Sequence, residues 1–333
     1  MNKNHTYISF WVKRFLLEYI INVKNLSRNT QISYRDTFRL LLPEIAKMAK
    51  SNIENLHVEE ISPECVKRFL NDIESVRNCS ISTRNQRLAA IHAFASFVCQ
   101  CCPEYVEWAR QIKNIPFKRG GKKQITYLEK EEMNAILDSP DRKVPQGFRD
   151  YALLLFLYNT GARADEVAKL SISDLSLEKG LATVVLHGKG KKDRRCPLWD
   201  QTVKALKPLI FGRDMVEPVF LNRLSQPITR FGIYSLVERH AKKVSLIMPE
   251  INEKRVSPHT IRHTTATHLL QSGVDLNTIR VWLGHVSIDT TNIYAEVNMK
   301  MKAEALECCE VRTAKIITPW RNNKTLMEFL DNL

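Results

Sequence analysis

Apolar residues in the first part of the chain recur with the period of a helix. Ile8, Trp11, Val12, Phe15, Tyr19 and Val23 follow i, i+3, i+4, i+7 spacing and predict one amphipathic helix. A second is expected after Asn29, with Ile32, Phe38, Leu41 and Ile45 on one face and Pro43 kinking or ending it. Ser62-Pro63-Glu64 has the form of a helix start, with a capping hydroxyl followed by proline at the first helical position. A fourth helix is expected from near Ser82, burying Leu88, Ile91, Ala95 and Val98. No strand-like alternation occurs in this part.

The texture changes at Ile115-Pro116-Phe117-Lys118-Arg119-Gly120-Gly121-Lys122-Lys123, which reads as a flexible basic linker. Beyond it, Glu129 to Leu137 reads as a short amphipathic helix. Arg149 to Tyr158 reads as an apolar, central one, interrupted at Asn159-Thr160-Gly161 and resumed over Ala164 to Leu170. Leu181 to Leu186 is rich in strand formers, and a second short strand is expected over Arg194 to Leu198. The glycines between them predict a hairpin. Helices dominate from Asp200 onward. The expected fold is mostly α with a small β-sheet: a helical domain over 1–115, a basic linker over 116–124, and a mixed α/β domain over 125–333.

Composition narrows the function. No apolar run approaches the ~20 residues of a membrane span, and Met1-Asn2-Lys3-Asn4-His5 lacks the apolar core of a signal peptide. A cytoplasmic protein without a membrane partner is expected. The 50 Lys and Arg against 36 Asp and Glu leave a net charge of +14, which points to a polyanion as partner, nucleic acid before membrane. Cys101-Cys102 and Cys308-Cys309 are adjacent pairs and lack the spacing of a zinc site within each pair, and the eight cysteines read as reduced packing residues.

Four clusters in the second half carry chemistry. They are Thr160-Gly161-Ala162-Arg163-Ala164-Asp165-Glu166, Gly188-Lys189-Gly190, Ser257-Pro258-His259-Thr260-Ile261-Arg262-His263, and Trp282-Leu283-Gly284-His285 followed by Thr291 to Tyr294. Taken in order, the set resembles the tyrosine recombinase (phage integrase) family over about residues 125 to 300. Leu26-Ser27 to Tyr34 and Ser82-Thr83-Arg84 to Phe94 resemble that family's helical core-binding domain. The resemblance implies a two-domain, C-shaped DNA clamp. Its catalytic set would be Arg163, Lys189, His259, Arg262, His285 and Tyr294, with Glu166 orienting an arginine. It also implies a homotetramer on two double-stranded DNA sites, passing through a four-way junction.

The residue types suit that chemistry. Cutting a phosphodiester concentrates charge on oxygens that are already anionic, and two guanidiniums, Arg163 and Arg262, form a permanently charged clamp for them. His259 lies three residues before Arg262, on the same face of a helix starting near Pro258. His285 would donate to a non-bridging oxygen. Tyr294 would attack, leaving a 3′-phosphotyrosyl link and a 5′-hydroxyl that takes its proton from a lysine of the hairpin tip. Lys189 is the lysine the resemblance indicates, with Lys191 and Lys192 as rivals. The covalent link conserves the phosphodiester energy, so no cofactor, metal or ATP is expected. His259 and His263 have helical spacing but lack the glutamate of a zinc helix.

Arg84, Arg87, Lys118, Arg119, Lys122, Lys123, Lys191 and Lys192 are the expected additional DNA contacts. The amphipathic tail with Leu326, Met327, Phe329, Leu330 and Leu333 is expected to dock on the same protomer or on a neighbour. The chain resembles short Xer-like and transposon-borne members, with extra length near Val144 to Gln146 and beyond Thr313. The favoured role is integration, excision or transposition of a mobile element, with companion recombinases or accessory proteins as further partners. Xer-type dimer resolution, a type IB topoisomerase, a non-catalytic DNA-binding protein and a metal nuclease are the alternatives.

Overall fold

The computed structural model describes residues 6–121, 125–178, 180–188, 192–284 and 330–331. The chain divides into two compact units, Met1–Lys123 and Gln124–Leu333.

In the first unit, helix α1 (Ile8–Arg14) runs directly into wider π-helical turns over Phe15–Val23. A single α-helical stripe was expected to carry Tyr19 and Val23 inward. The wider turns shift the register, so Ile20, five residues after Phe15, is buried and Val23 is exposed. Helix α2 (Arg28–Ala49) is capped by Ser27 and passes through Pro43 without ending. Pro43 lies on the exposed side of α2, so the hydrogen bond it removes falls where water satisfies the carbonyl, while Phe38, Leu41 and Ile45 keep the buried face.

Helix α3 (Pro63–Ser75) starts as expected, with Ser62 Oγ accepting from the Cys65 amide. Helix α4 (Ile81–Cys101) is capped by Ser80, earlier than expected. Helix α5 (Val106–Lys113), not foreseen, buries Trp108, Ala109 and Ile112, and the Trp108 indole donates to the Ile61 carbonyl at 3.0 Å. Phe15 sits among the rings of Tyr34, Phe38, Phe94 and Phe97, with centroids 5.5 to 6.0 Å away.

The expected flexible linker begins as a fixed one. Ile115 is buried, Arg84 Nη1 donates to the Pro116 carbonyl, and Asn85 exchanges two hydrogen bonds with the Lys118 backbone at 2.8 and 3.0 Å. Those bonds bind the strap to α4 through Lys118.

The second unit is built around α7 (Pro145–Thr160), which is buried along most of its length. Helix α6 (Lys130–Asp138) precedes it, and the short α8 (Ala164–Ala168) follows after one turn, ending before the expected Leu170. Strands β1 (Leu175–Ser176), β2 (Thr183–His187) and β3 (Asp193–Pro197) form an antiparallel sheet in sequence order, with Val184 opposite Cys196. The β2–β3 hairpin was expected. The two residues of β1 are too few to leave a period in the sequence. Helices α9 (Asp200–Ile210), α10 (Arg230–Ser245), α11 (Pro258–Gln271) and α12 (Leu276–Leu283) follow among the described residues.

The core of the second unit joins Leu153 to Leu157 of α7 with Val184, Leu186, Cys196, Val237 and Ile261. A smaller cluster of Ala266, Leu270, Ile279 and Leu283 holds α12 on α11. The described fold is therefore mostly helical with one small sheet. Among the described residues no helix is long and apolar enough to cross a membrane.

Candidate active site

The site is assembled at the turn after α7. Thr160 is fully buried, and its hydroxyl donates to the Phe156 carbonyl and accepts from the Ala162 amide. Gly161 then takes φ +60° as the C-terminal cap, which turns the chain so that Arg163 caps α8. A Cβ on Gly161 would lie 2.7 Å from Leu283 Cδ2, so α12 closes directly over this turn. Gly161→Ala is expected to lower stability by about 1–3 kcal/mol, through left-handed strain and displacement of Leu283. Chemical denaturation measures it, and an unchanged midpoint contradicts the expectation.

Glu166 organises the first arginine. One of its oxygens accepts from the Arg163 backbone amide and the other from Arg163 Nη1, both at 2.8 Å. The same carboxylate meets a second guanidinium, that of Arg194 on β3, through two bonds of 3.0 and 2.7 Å. Burial pushes the Glu166 carboxyl up, but the hydrogen bonds and charge of Arg194 and then the bonds from Arg163 outweigh it, holding the group at about 2. Glu166 is thus an anion at neutral pH, and Arg163 keeps 35% of its side chain exposed.

Arg262 comes from α11, whose start is fixed by Ser257 and Pro258. It is 3% exposed. Its Nη1 donates to the Gly161 carbonyl at 2.7 Å and its Nη2 to the Leu283 carbonyl at 2.6 Å. Arg262 therefore joins the α7–α8 turn to the end of α12. His259, one turn earlier on α11, is open to solvent. Desolvation by its surroundings, then the charges of Arg262 and Arg163, hold its imidazole below the ordinary histidine value, so it is neutral at pH 7. His263 is pushed down to about 4 by burial, then by His259 and Arg262.

Lys189, His285 and Tyr294 lie outside the described residues, as do Lys122, Lys123, Lys191 and the tail from 285 to 329. The described residues next to two of them reach this cluster. A Cβ on Gly188 would lie 3.8 Å from Glu166 Oε1, and one on Gly284 would lie 3.2 Å from Arg194 Cδ. The chain thus leaves for Lys189 beside Glu166, and for His285 beside Arg194.

The remaining expected DNA contacts divide by exposure. Arg119 and Lys192 are exposed. Lys118 is half-exposed and pairs with Glu74 at 3.0 Å. Arg84 is 8% exposed, faces Glu74 at 3.8 Å and holds Pro116. Its charge is engaged inside the first unit, because a buried guanidinium needs a counter-charge and acceptors there. Arg87 joins α4 to α2 through the Ser33 carbonyl and the Thr37 hydroxyl.

Arg194 was missed in the sequence. Strand alternation puts it on the same inward face as Cys196, and a charged residue on an inward position was the available signal.

Comparison with known proteins agrees with this geometry. The phage integrase family model matches residues 126–301, and the model of the phage integrase N-terminal SAM-like domain matches residues 12–100. The integrase/recombinase y4rC of Sinorhizobium fredii is 32% identical over 331 residues, covering 99% of each chain. A tyrosine recombinase XerD of Staphylococcus epidermidis is 29% identical over 85% of this chain and 92% of its own.

Among solved structures, the Tn1549 transposon integrase in complex with transposon right end DNA shares the fold with a TM-score of 0.68. It is 18% identical, and the match covers 90% of this chain and 99% of that one. The XerH site-specific recombinase bound to palindromic difH substrate shares it with a TM-score of 0.64. It is 22% identical, and the match covers 90% of this chain and 95% of that one. With Arg163 and Arg262 brought to one turn, a carboxylate holding Arg163 and a family model over residues 126–301, the chain belongs to the phage integrase family of tyrosine recombinases, enzymes that cleave and rejoin DNA strands in site-specific recombination.

Proposed function

We propose that this chain recombines double-stranded DNA sites of a mobile element, with Tyr294 as nucleophile. The observation that carries the reading is the convergence of Arg163, Glu166, Arg262 and His259 with Gly188 and Gly284, the residues that precede Lys189 and His285.

In this reading Arg163 and Arg262 meet the non-bridging oxygens of the scissile phosphate, and His285 adds a donor. The Tyr294 oxygen attacks phosphorus while its proton passes to neutral His259. The P–O5′ bond breaks, and the leaving oxygen takes a proton from Lys189. The product is a 3′-phosphotyrosyl link and a 5′-hydroxyl, and the reverse step with another 5′-hydroxyl completes strand exchange. No step calls for a metal or a nucleotide.

The unit Met1–Lys123 serves as the core-binding domain, and the basic linker joins it to a catalytic domain over 125–333 that ends in a tail helix. Arg119 and Lys192 reach phosphates together with Lys118, Lys122, Lys123 and Lys191. The net charge of +14 suits that partner. Four protomers hold two sites in the cytoplasm, with the tail contacting a neighbour. Relationship to XerD over 85% of the chain favours dimer resolution as the second reading.

The test is covalent trapping. The protein is mixed, with EDTA present, with labelled nicked duplexes taken from DNA flanking its gene, and resolved on a denaturing gel. A slow-migrating adduct carrying the 3′ end of the cut strand is expected. Adducts formed only on the element's ends support the mobile-element role, whereas adducts only on a chromosomal dimer-resolution site support the second reading. Tight binding with no adduct on any duplex overturns both.

A further inference from the structure

Arg194 makes three hydrogen bonds to two parts of the chain that are distant in sequence. Its Nη1 and Nη2 donate to Glu166, and its Nε donates to the Trp282 carbonyl at 2.8 Å. The side chain is 7% exposed. Next to it, Arg262 donates to the Leu283 carbonyl. Two guanidiniums therefore grip two consecutive carbonyls at the C-terminus of α12, where the helix leaves its acceptors unpaired and its dipole is negative.

Apolar packing also seats α12, through Ile279 and Leu283 against Ala266 and Leu270 and through Trp282 against the main core, and Cys196 Sγ donates to the same Trp282 carbonyl at 3.6 Å. Gly284 fits closely against the aliphatic part of Arg194, where an added Cβ would lie 3.2 Å from Cδ. The Trp282 carbonyl lies only three residues before His285.

We propose that Arg194 is a positioning residue: it ties the end of α12, from which the chain continues to His285 and Tyr294, to the carboxylate that orients Arg163. This rests on the proposed cleavage chemistry and adds to it a coupling. The residues after α12 and the arginine clamp share one rigid anchor, so the two are brought to the phosphate in a common frame. A lysine keeps the charge at this place but not the fork, and so cannot bridge Glu166 and Trp282 together.

Two variants test the coupling. Arg194→Lys keeps the cation. Glu166→Gln with Arg194→Met removes both charges, leaving neither buried alone, and retains the fold even where the single variant does not. The first readout is amide hydrogen exchange of the full-length protein, which needs no activity. Amides of α12 are expected to exchange about tenfold faster in both variants, while those of α7 stay protected. The second is single-turnover cleavage with protein saturating the duplex. The rate is expected to fall about 100-fold, because a misplacement of about 1 Å has that effect, with the Kd for the duplex unchanged.

Unchanged exchange in α12 overturns the anchor. Faster exchange with an undiminished cleavage rate overturns the positioning role, and loss of binding in step with cleavage reduces Arg194 to a structural part. If the unaltered protein forms no adduct, the cleavage reading fails and the positioning role fails with it, while the exchange result still decides the anchor.

Discussion

Tyr294→Phe is expected to bind the recombination duplex as tightly as the unaltered chain and to form no covalent adduct. The substitution removes one oxygen and leaves the ring, so contacts made by the ring survive. In the proposed mechanism the attacking atom is lost with it. A phenol has an ordinary pKa of about 10 and attacks slowly at pH 7 unless nearby positive charge stabilises its anion and a base accepts its proton.

In the proposed mechanism the described cluster supplies both. Arg163 and Arg262 bring permanent charge, and His259 is held neutral by desolvation and by those two cations. The measurement is the trapping gel run with both proteins at equal occupancy, established by a band-shift assay. An adduct that persists in Tyr294→Phe means that another residue attacks. Equal loss of binding and adduct means that the residue acts in holding DNA or the fold.

Glu166→Ala is expected to cost about 3–5 kcal/mol of stability, the largest effect of any single change in the described site, because it leaves the buried Arg194 cation without its partner. The depressed carboxyl also predicts a pH dependence. The folded value of about 2 lies below the ordinary value of 4.5. The stabilisation, worth about 3 kcal/mol, is therefore complete above about pH 4.5 and is lost as the pH falls toward 2.

Denaturant unfolding of the two proteins at pH 7 and at pH 3 measures this. The gap between unaltered and Glu166→Ala protein should be widest at pH 7 and narrow in acid. A gap that does not change with pH shows that the carboxylate charge is not what holds Arg194. The neutral pair Glu166→Gln with Arg194→Met should recover much of the lost stability, since it leaves no unpaired charge.

Much of the fold was legible because it is written locally. Ser62-Pro63 starts α3 and Gly161 ends α7, since a capping hydroxyl, a proline ring and a left-handed turn act within a few residues. The departures have local causes of another kind. The turn type after Phe15 changed which residues face inward, and Pro43 was tolerated because its side of the helix faces water. The linker looked free by composition but is held by Arg84 and Asn85, more than thirty residues earlier in the chain.

The identities of the charged groups and their order along the chain were likewise determined by the sequence alone. Arg163, Glu166, His259 and Arg262 are readable because their short motifs, taken in order, resemble those of the tyrosine recombinase family. Which group each one meets was decided only by the tertiary structure. Glu166 holds Arg194 from 28 residues away, Arg194 reaches Trp282 from 88, and Arg262 reaches Gly161 from 101. Nothing in local spacing encodes such distances. A buried charge must find a counter-charge or a carbonyl wherever the packing of α7, α11, α12 and β3 brings one, and that packing is settled by the whole core at once.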